Sequence, residues 1–522
     1  HRHGSALGGH AARRSGRIVP IEKCDRGVIL RRESSPLGRA TSGFLLIAFV
    51  CLIFADIAIS TGDPWHEFGL LLTGIVTPDF YQTDSLALAI AYTLAFALLG
   101  VAFANVIGFG LALIFHYRIV RVGCAFIRAI HELFWALIFL QMFGLSPLTG
   151  VLAITIPYAG IIAKVYAEIL EEADQRPLSA LPVGAGRAST FLFVRLPDAW
   201  AHFRTYSMYR LECGLRSSAV LGFIGLPTLG FHLETAFKEG LYSEVSALLI
   251  LFYLIIATMR VWMKKPLLPV YLIGAAAILP WGVAFSWAHI GRFLTEDIIP
   301  YPIRAGGDNM MASLGDWVSM LMVDQIWPGT IATVQLTMIA LVATGFLTMA
   351  FFPLISPLLL GRVARTGGHV FLVVVRSTPE YILAFVLLNL WGPSMLPAIV
   401  ALSLHNAAII GHLIGRFTET LQLRLDAVRG VNRYFYEVVP RIYRPMLALL
   451  FYRWEIIMRE TAILGILGIA TLGFYVDSAF ADLRFDRALF LILITAMLNI
   501  CVDAISRTIR NRLRLQTTLE ER

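Results

Sequence analysis

Residues 209–231, YRLECGLRSSAVLGFIGLPTLGF, and residues 452–474, YRWEIIMRETAILGILGIATLGF, spell one pattern twice. Tyr209, Arg210, Glu212, Arg216, Ala219, Gly222, Gly225 and Gly230 recur as Tyr452, Arg453, Glu455, Arg459, Ala462, Gly465, Gly468 and Gly473, always 243 residues on. Solenoid repeats have periods of about 20–50 residues. A repeat of 243 residues is a whole domain written twice. The chain must therefore fold as two copies of one architecture.

Composition says where that architecture sits. The 522 residues are 57% hydrophobic and 15% charged, with mean hydropathy +0.72. Soluble domains carry about 25% charged residues, and a bilayer core about 30 Å thick is crossed by about 20 apolar residues in helical form. Such stretches fall at 43–60, 86–115, 129–144, 148–168, 201–225 and 243–263, then at 267–288, 329–358, 369–390, 395–414, 443–470 and 487–506. The expected fold is an all-α integral membrane protein with about twelve transmembrane helices. Its two six-helix copies run the same way, as parallel repeats related by an axis along the membrane normal.

The net charge of +8 is not read as a nucleic-acid footprint, because the basic residues flank the spans. Arg13, Arg14, Arg17, Arg26, Arg31, Arg32 and Arg39 precede the first span, Lys264 and Lys265 separate the copies, and Arg507, Arg510, Arg512 and Arg514 follow the last. Loop 61–84 carries Asp63, Glu67, Asp79 and Asp84 without Lys or Arg. Positive-inside counting then expects both termini in the cytoplasm. Residues 1–40 are expected to be a basic, disordered cytoplasmic tail, 41–264 the first repeat and 265–522 the second. The five cysteines show no metal or disulfide spacing.

The repeat reaches upstream as well. RAIHELFWALIFL (128–140) aligns with RSTPEYILAFVLL (376–388), pairing Glu132 with Glu380 at an offset of 248 residues. The register therefore shifts by five residues between the fourth and fifth spans of each copy, in a loop, where a length change costs little. Those connectors are EEADQRPLSALPVGAGRASTFLFVRLPDAW (171–200) and RFTETLQLRLDAVRGVNRYFYEVVPRIYRP (416–445). Each has a charged helical stretch, a small-residue turn and an amphipathic stretch, with Pro197 and Pro440 in register. A short surface helix of that kind suits docking into a groove on a soluble partner.

The stretch from Gly184 to Pro197, GAGRASTFLFVRLP, resembles the EAA loop of bacterial ATP-binding-cassette importer permeases. RAIHELFWALIF, RSTPEYILAF and the two YRxE segments resemble the phosphonate-transport group of that family, across nearly all of 85–264 and 325–508. The chain thus looks like a fused, double-length inner-membrane permease. The resemblance implies no enzyme activity and no cofactor in this chain, two ATP-binding subunits on the cytoplasmic side, and a periplasmic substrate-binding protein. It implies ATPase coupling through Gly184, Ala185, Gly186 and Arg187, and through Ala427, Arg429 and Gly430 in the second copy. There the sequence departs from the pattern, since Ala427 stands in place of Gly184. The implied cargo is phosphonate or a related phosphorus oxyanion. No GxxxxGK[ST] loop is present, so ATP would bind elsewhere.

Charged residues in apolar spans are costly and need partners or a wet cavity. Glu132, Arg210, Glu212 and Arg216, with Glu380, Arg453, Glu455 and Arg459, are such residues. Glu212–Arg216 and Glu455–Arg459 have the i,i+4 spacing of ion pairs on one helix face. Alternatively the arginines line a path for an oxyanion, whose geometry their planar forks match. Gly222, Gly225, Gly465 and Gly468 suit either close helix packing or a gate. Glu460, where the first copy has Ser217, is an extra acid without explanation, and His131, His405 and His412 are isolated, so no metal site is expected. The rival reading is a secondary transporter of a small anion driven by an ion gradient, with Glu132 and Glu380 as coupling acids.

Overall fold

A computed structural model describes residues 36–172, 186–282, 286–424 and 430–515. Those residues are helical with connecting turns, and contain no strand. In the first copy the principal helices are α1 (Pro36–Ile53), α2 (Pro64–Val76), α3 (Leu86–Leu113), α4 (Arg118–Ala129), α5 (Glu132–Phe143), α6 (Pro147–Glu172), α7 (Leu196–Val220), α8 (Leu229–Lys238) and α9 (Tyr242–Trp262). In the second they are α10 (Leu268–Ile278), α11 (Met310–Leu321), α12 (Trp327–Phe351), α13 (Arg362–Ser377), α14 (Glu380–Trp391), α15 (Met395–Phe417), α16 (Val439–Ile466), α17 (Leu472–Ala481) and α18 (Phe485–Arg512). The expected tail 1–40 falls mostly outside the described residues, and its last five residues already belong to α1.

Seven of these helices are long and apolar enough to cross a membrane, and ten spans result if each of three bent pairs is one crossing. The expected segments 267–288 and 443–470 correspond to the short α10 and to α16, whose interior charges exclude it from that count. The segments expected at 129–144 and 369–390 are not straight. α4 meets α5 at 91° and α13 meets α14 at 92°. Ile130 and His131, like Thr378 and Pro379, have extended backbone that stops one helix before the next begins. At 12 residues each, α5 and α14 are about 18 Å long, too short for a perpendicular crossing.

The copies share their internal bonding. The N–H of Leu229 donates to Thr93 Oγ1 at 2.8 Å, and that of Leu472 to Thr333 Oγ1 at 3.0 Å. Each bond satisfies an orphan donor at the start of α8 or α17. Helices α3 and α6 pack as a pair in the first copy, α12 and α15 in the second.

The leading helices are exchanged. α1 packs on α12, and Thr41 Oγ1 lies 2.6 Å from the Tyr443 hydroxyl of α16. Phe44 packs against Phe451 and Trp454, at 5.0 and 5.3 Å between ring centres. The segment after α1 is tied to the second copy too, through Ser60 N–H to Trp391 O and Met395 N–H to Asp56 O. Reciprocally, α10 packs on α3.

The described ends of the two connectors lie at one end of the molecule. Glu171, at the end of α6, and Arg507, near the end of α18, line one cavity. α16 runs antiparallel to α18: Ser506 Oγ donates to Phe451 O at 2.6 Å, and Arg128 bridges Glu455 and Asp503. The start of α16 therefore sits at the same end as the last turn of α6.

Candidate functional site: the charged layer between the copies

The elbows create the site. Where α4 and α13 stop, their last carbonyls have no helical donor and form the negative end of a helix dipole. Arg216, on α7, donates from Nη1 to the carbonyl of Arg376 at 3.3 Å. Arg459, on α16, donates from Nη1 to the carbonyl of Arg128 at 3.1 Å. Each arginine thus reaches from its own copy to the elbow of the other. The last long helices do the same: Asn499 Nδ2 donates to Ala129 O at 2.7 Å, and the Tyr253 hydroxyl lies 2.6 Å from Thr378 Oγ1.

This corrects the expected pairing. Among the described residues, neither Glu212–Arg216 nor Glu455–Arg459 closes as an ion pair. Glu455 instead lies 3.7 Å from Arg128, which makes its short contact, 2.8 Å, with Asp503. Asp503 also holds Arg507 at 3.2 Å. Helix spacing permits i,i+4 pairs, but here the guanidinium groups reach instead to carbonyls at the elbows of the other copy.

Arg210 has no carboxylate partner among the described residues. Its Nε donates to the Tyr206 hydroxyl at 2.7 Å, and its guanidinium sits 5.0, 5.5 and 5.7 Å from the ring centres of Tyr206, Tyr209 and Tyr158. Three ring faces stabilise the cation without neutralising it. Arg453, its counterpart, closes neither an ion pair nor a hydrogen bond among the described residues.

The two acids differ between copies. Glu132 Oε1 accepts from Ser217 Oγ at 2.8 Å, and Ser217 Oγ is 2.9 Å from the Tyr158 hydroxyl. The repeat offsets place Glu380, Glu460 and Asn406 at the positions of Glu132, Ser217 and Tyr158. Asn406 Nδ2 donates to Glu460 Oε2 at 3.2 Å. His405, expected to be isolated, has Nε2 3.7 Å from Glu380 Oε2, and His131 Nε2 is 3.9 Å from Glu132 Oε2.

The repeated glycines build turns. Gly225 and Gly468 have φ of +91° and +88° and end their helices. Each does so in a Schellman arrangement, with Leu226 N–H reaching Leu221 O and Ile469 N–H reaching Leu464 O. A Cβ on Gly222 would overlap the backbone of Gly230 and Phe231, and one on Gly465 that of Gly473 and Phe474. These positions clamp α8 to the end of α7, and α17 to the end of α16.

Of the expected coupling residues, Gly184, Ala185, Ala427 and Arg429 lie outside the described residues, and of Arg187 only the backbone is described. Gly186 and Gly430 are exposed and precede the helices that run into α7 and α16. Each of these lead-in segments contains a π-helical turn, Phe191–Arg195 in the first copy and Arg433–Val438 in the second. Leu192 and Phe193 face solvent on the first, Phe435 and Tyr436 on the second, again 243 residues apart.

Sequence reasoning missed Asp503, Asn499, Tyr253 and Tyr158, and met Ser217 only as the counterpart of Glu460. Tyr158 and Ser217 were within reach of the repeat offsets, which pair them with Asn406 and Glu460.

Two matching helical copies, exchanged leading helices and a charged layer at their junction define a permease core. The chain belongs to the family described as binding-protein-dependent transport system inner membrane components, whose signature matches residues 347–515. It is the membrane permease component of an ATP-binding-cassette importer, a multi-pass protein that works with ATPase and binding-protein partners. It is 24% identical over 486 residues to the phosphate-import permease protein PhnE of Mycolicibacterium smegmatis, covering 85% of this chain and 88% of the relative. It is 32% identical over 228 residues to the putative phosphite transport system permease protein HtxC of Stutzerimonas stutzeri, covering 41% of this chain and 79% of the relative. A putative cryptic phosphonate transport system permease protein of Escherichia coli is 29% identical over 101 residues, 19% of this chain and 83% of the relative. No solved structure matches the chain.

Proposed function

We propose that this one chain supplies both halves of the path by which a phosphorus oxyanion, phosphonate, phosphite or phosphate, enters a bacterial cell across the inner membrane. The division is residues 41–264 and 265–522, with both termini cytoplasmic. Two ATP-binding subunits dock on connectors 171–197 and 416–440, and a periplasmic binding protein delivers cargo to the opposite face. Arg210 carries the reading of the cargo. It is a permanently charged guanidinium in the charged layer, held by tyrosine rings rather than by a carboxylate, so its forked donors remain suited to oxyanion oxygens. The names of the relatives, which specify phosphate, phosphite and phosphonate, support the same class.

Docking at the connectors is supported by the solvent-facing apolar pairs Leu192–Phe193 and Phe435–Tyr436, which stand at equivalent places. Alternating access follows as a population shift: ATP and loaded binding protein favour the outward-open arrangement, and hydrolysis favours the inward one. Liposomes holding the chain, its ATPase and the binding protein should take up labelled phosphite or a phosphonate only with internal ATP. Uptake by the chain alone under an ion gradient would replace this reading with secondary transport.

A further inference from the structure

The second copy carries a donor set that the first lacks. One ligand atom each from Glu380, His405 and Glu460 falls within 4.8 Å of the others. His405 is 2% exposed, and its Nδ1 lies 2.9 Å from the carbonyl of Thr378. A carbonyl only accepts, so Nδ1 carries a proton, and in the neutral ring Nε2 presents its lone pair. That lone pair faces Glu380 Oε2 at 3.7 Å, too far for a hydrogen bond. Two donors on one tetrahedral ion, each about 2.0–2.2 Å from it, lie about 3.3–3.6 Å apart. An imidazole fixed by Nδ1–H to a carbonyl, with Nε2 turned to carboxylates, is how ligating histidines are oriented.

The hydrogen bonding points the same way. In the first copy the Ser217 hydroxyl donates to Glu132 and itself lies 2.9 Å from the Tyr158 hydroxyl. In the second the Ser217 position holds a second buried acid, Glu460, which receives one bond from Asn406. Among the described residues no arginine or lysine comes within ion-pair distance of Glu380 or Glu460, and Arg216, Arg453 and Arg459 act on them only from farther off. Asn406 Oδ1 is buried without a hydrogen-bond partner beside them. Two carboxylates, a directed imidazole lone pair and an unpartnered amide oxygen share one place, and all are acceptors. The Glu380 side chain remains 15% exposed, which leaves a way in for an ion.

We propose that Glu380, His405 and Glu460 bind a divalent cation of the Zn²⁺ or Mn²⁺ class, in the second copy only. Three protein ligands leave a coordination position open, to which an oxyanion oxygen can add. That use rests on the transport reading above; the metal site does not.

The test uses the full-length, untagged chain in detergent, stripped with chelator and titrated with Zn²⁺ and with Mn²⁺ in the absence of cargo. Bound metal is counted by mass spectrometry, and melting is followed in parallel. The wild type should hold one more ion per chain than Glu460→Ser, which restores the first copy's residue, and than His405→Gln. Affinity in each should fall at least tenfold. Metal should raise the melting temperature of the wild type and not of Glu460→Ser. His131→Gln, the first-copy control, should bind as wild type. The N-terminal histidines are common to every variant, so the difference reads the cluster. Should Glu460→Ser fail to elute as wild type does, Glu380→Gln takes its place. Equal binding in wild type and variants, or no binding by the wild type, overturns the site; a cluster that holds only a shared proton gives that last result.

Discussion

Arg216 of α7 gives its Nη1 donor to the carbonyl of Arg376, and 243 residues further on Arg459 repeats the gesture towards the carbonyl of Arg128. The two bonds cross between copies in opposite senses. Each seals a helix end that an elbow has opened, so whatever changes the angle of an elbow must move an arginine in the other copy.

Removing either guanidinium takes the charged donor from a partly buried carbonyl. Arg216→Gln and Arg459→Gln should each lower stability by about 1.5–3 kcal/mol. The double variant should depart from the sum, because both arginines also act on Glu460. Thermal melts of the purified chain in detergent check this; single variants that melt as wild type does would deny the bonds their role.

Asp503 holds Arg128 and Arg507 in partly buried surroundings. Asp503→Ala takes the short partner from the buried Arg128, leaving it Glu455 at 3.7 Å, while the half-exposed Arg507 turns to water; the loss should stay below the about 3–5 kcal/mol of a fully broken buried pair. Membrane yield and melting temperature should fall further than for Glu455→Ala, whose separation from Arg128 is the longer 3.7 Å.

Two glycine pairs separate space from backbone angle. Gly222→Ala and Gly465→Ala put a methyl into neighbouring backbone and should cost about 1–3 kcal/mol. Gly468→Ala meets nothing within 4 Å but holds φ at +88°, so it should cost about 1–2 kcal/mol from strain alone. Gly186→Ala, with open space and no positive φ, should leave stability unchanged. The order is read from melting midpoints.

If the connectors seat ATPases, charge on their apolar faces should unseat them. Phe193 is 77% and Tyr436 74% exposed, so Phe193→Asp and Tyr436→Asp should fold and insert normally. Co-purification of the ATPase should drop at least tenfold in the double variant and less in either single one. Undiminished co-purification would move the docking surface elsewhere.

The exchange of α1 and α10 predicts how the chain behaves when cut. Fragments 1–264 and 265–522, co-expressed, should co-purify, since each contributes a helix to the other's surface. Either fragment alone should be degraded or aggregate. Stable, monomeric single fragments would show that the exchange is not needed.

Composition made the membrane class legible in sequence, and the repeat did so for the two-copy architecture and most of the charged layer. It carried Glu132 to Glu380 and Arg216 to Arg459 without ambiguity. Partners were harder. Helix spacing offered Glu212 to Arg216, whereas the actual acceptor is a main-chain carbonyl on another helix, and no side-chain pattern marks a carbonyl as free. Asp503 and Asn499 were invisible because the repeat places Arg260 and Ile256 opposite them. The elbows were half legible. Pro379 announces one, but His131 stands at its position in the first copy, so apolar content alone suggested straight spans there.

The clasp between Thr41 and Tyr443 joins residues 402 positions apart. During synthesis α1 therefore enters the lipid long before its seat exists, and several of its side chains, Leu46, Phe49 and Ile53 among them, stay outward even in the finished protein. The ribosome must deliver nearly the whole chain before this first helix finds its place, and that wait exposes an apolar flank to every other newborn membrane protein nearby.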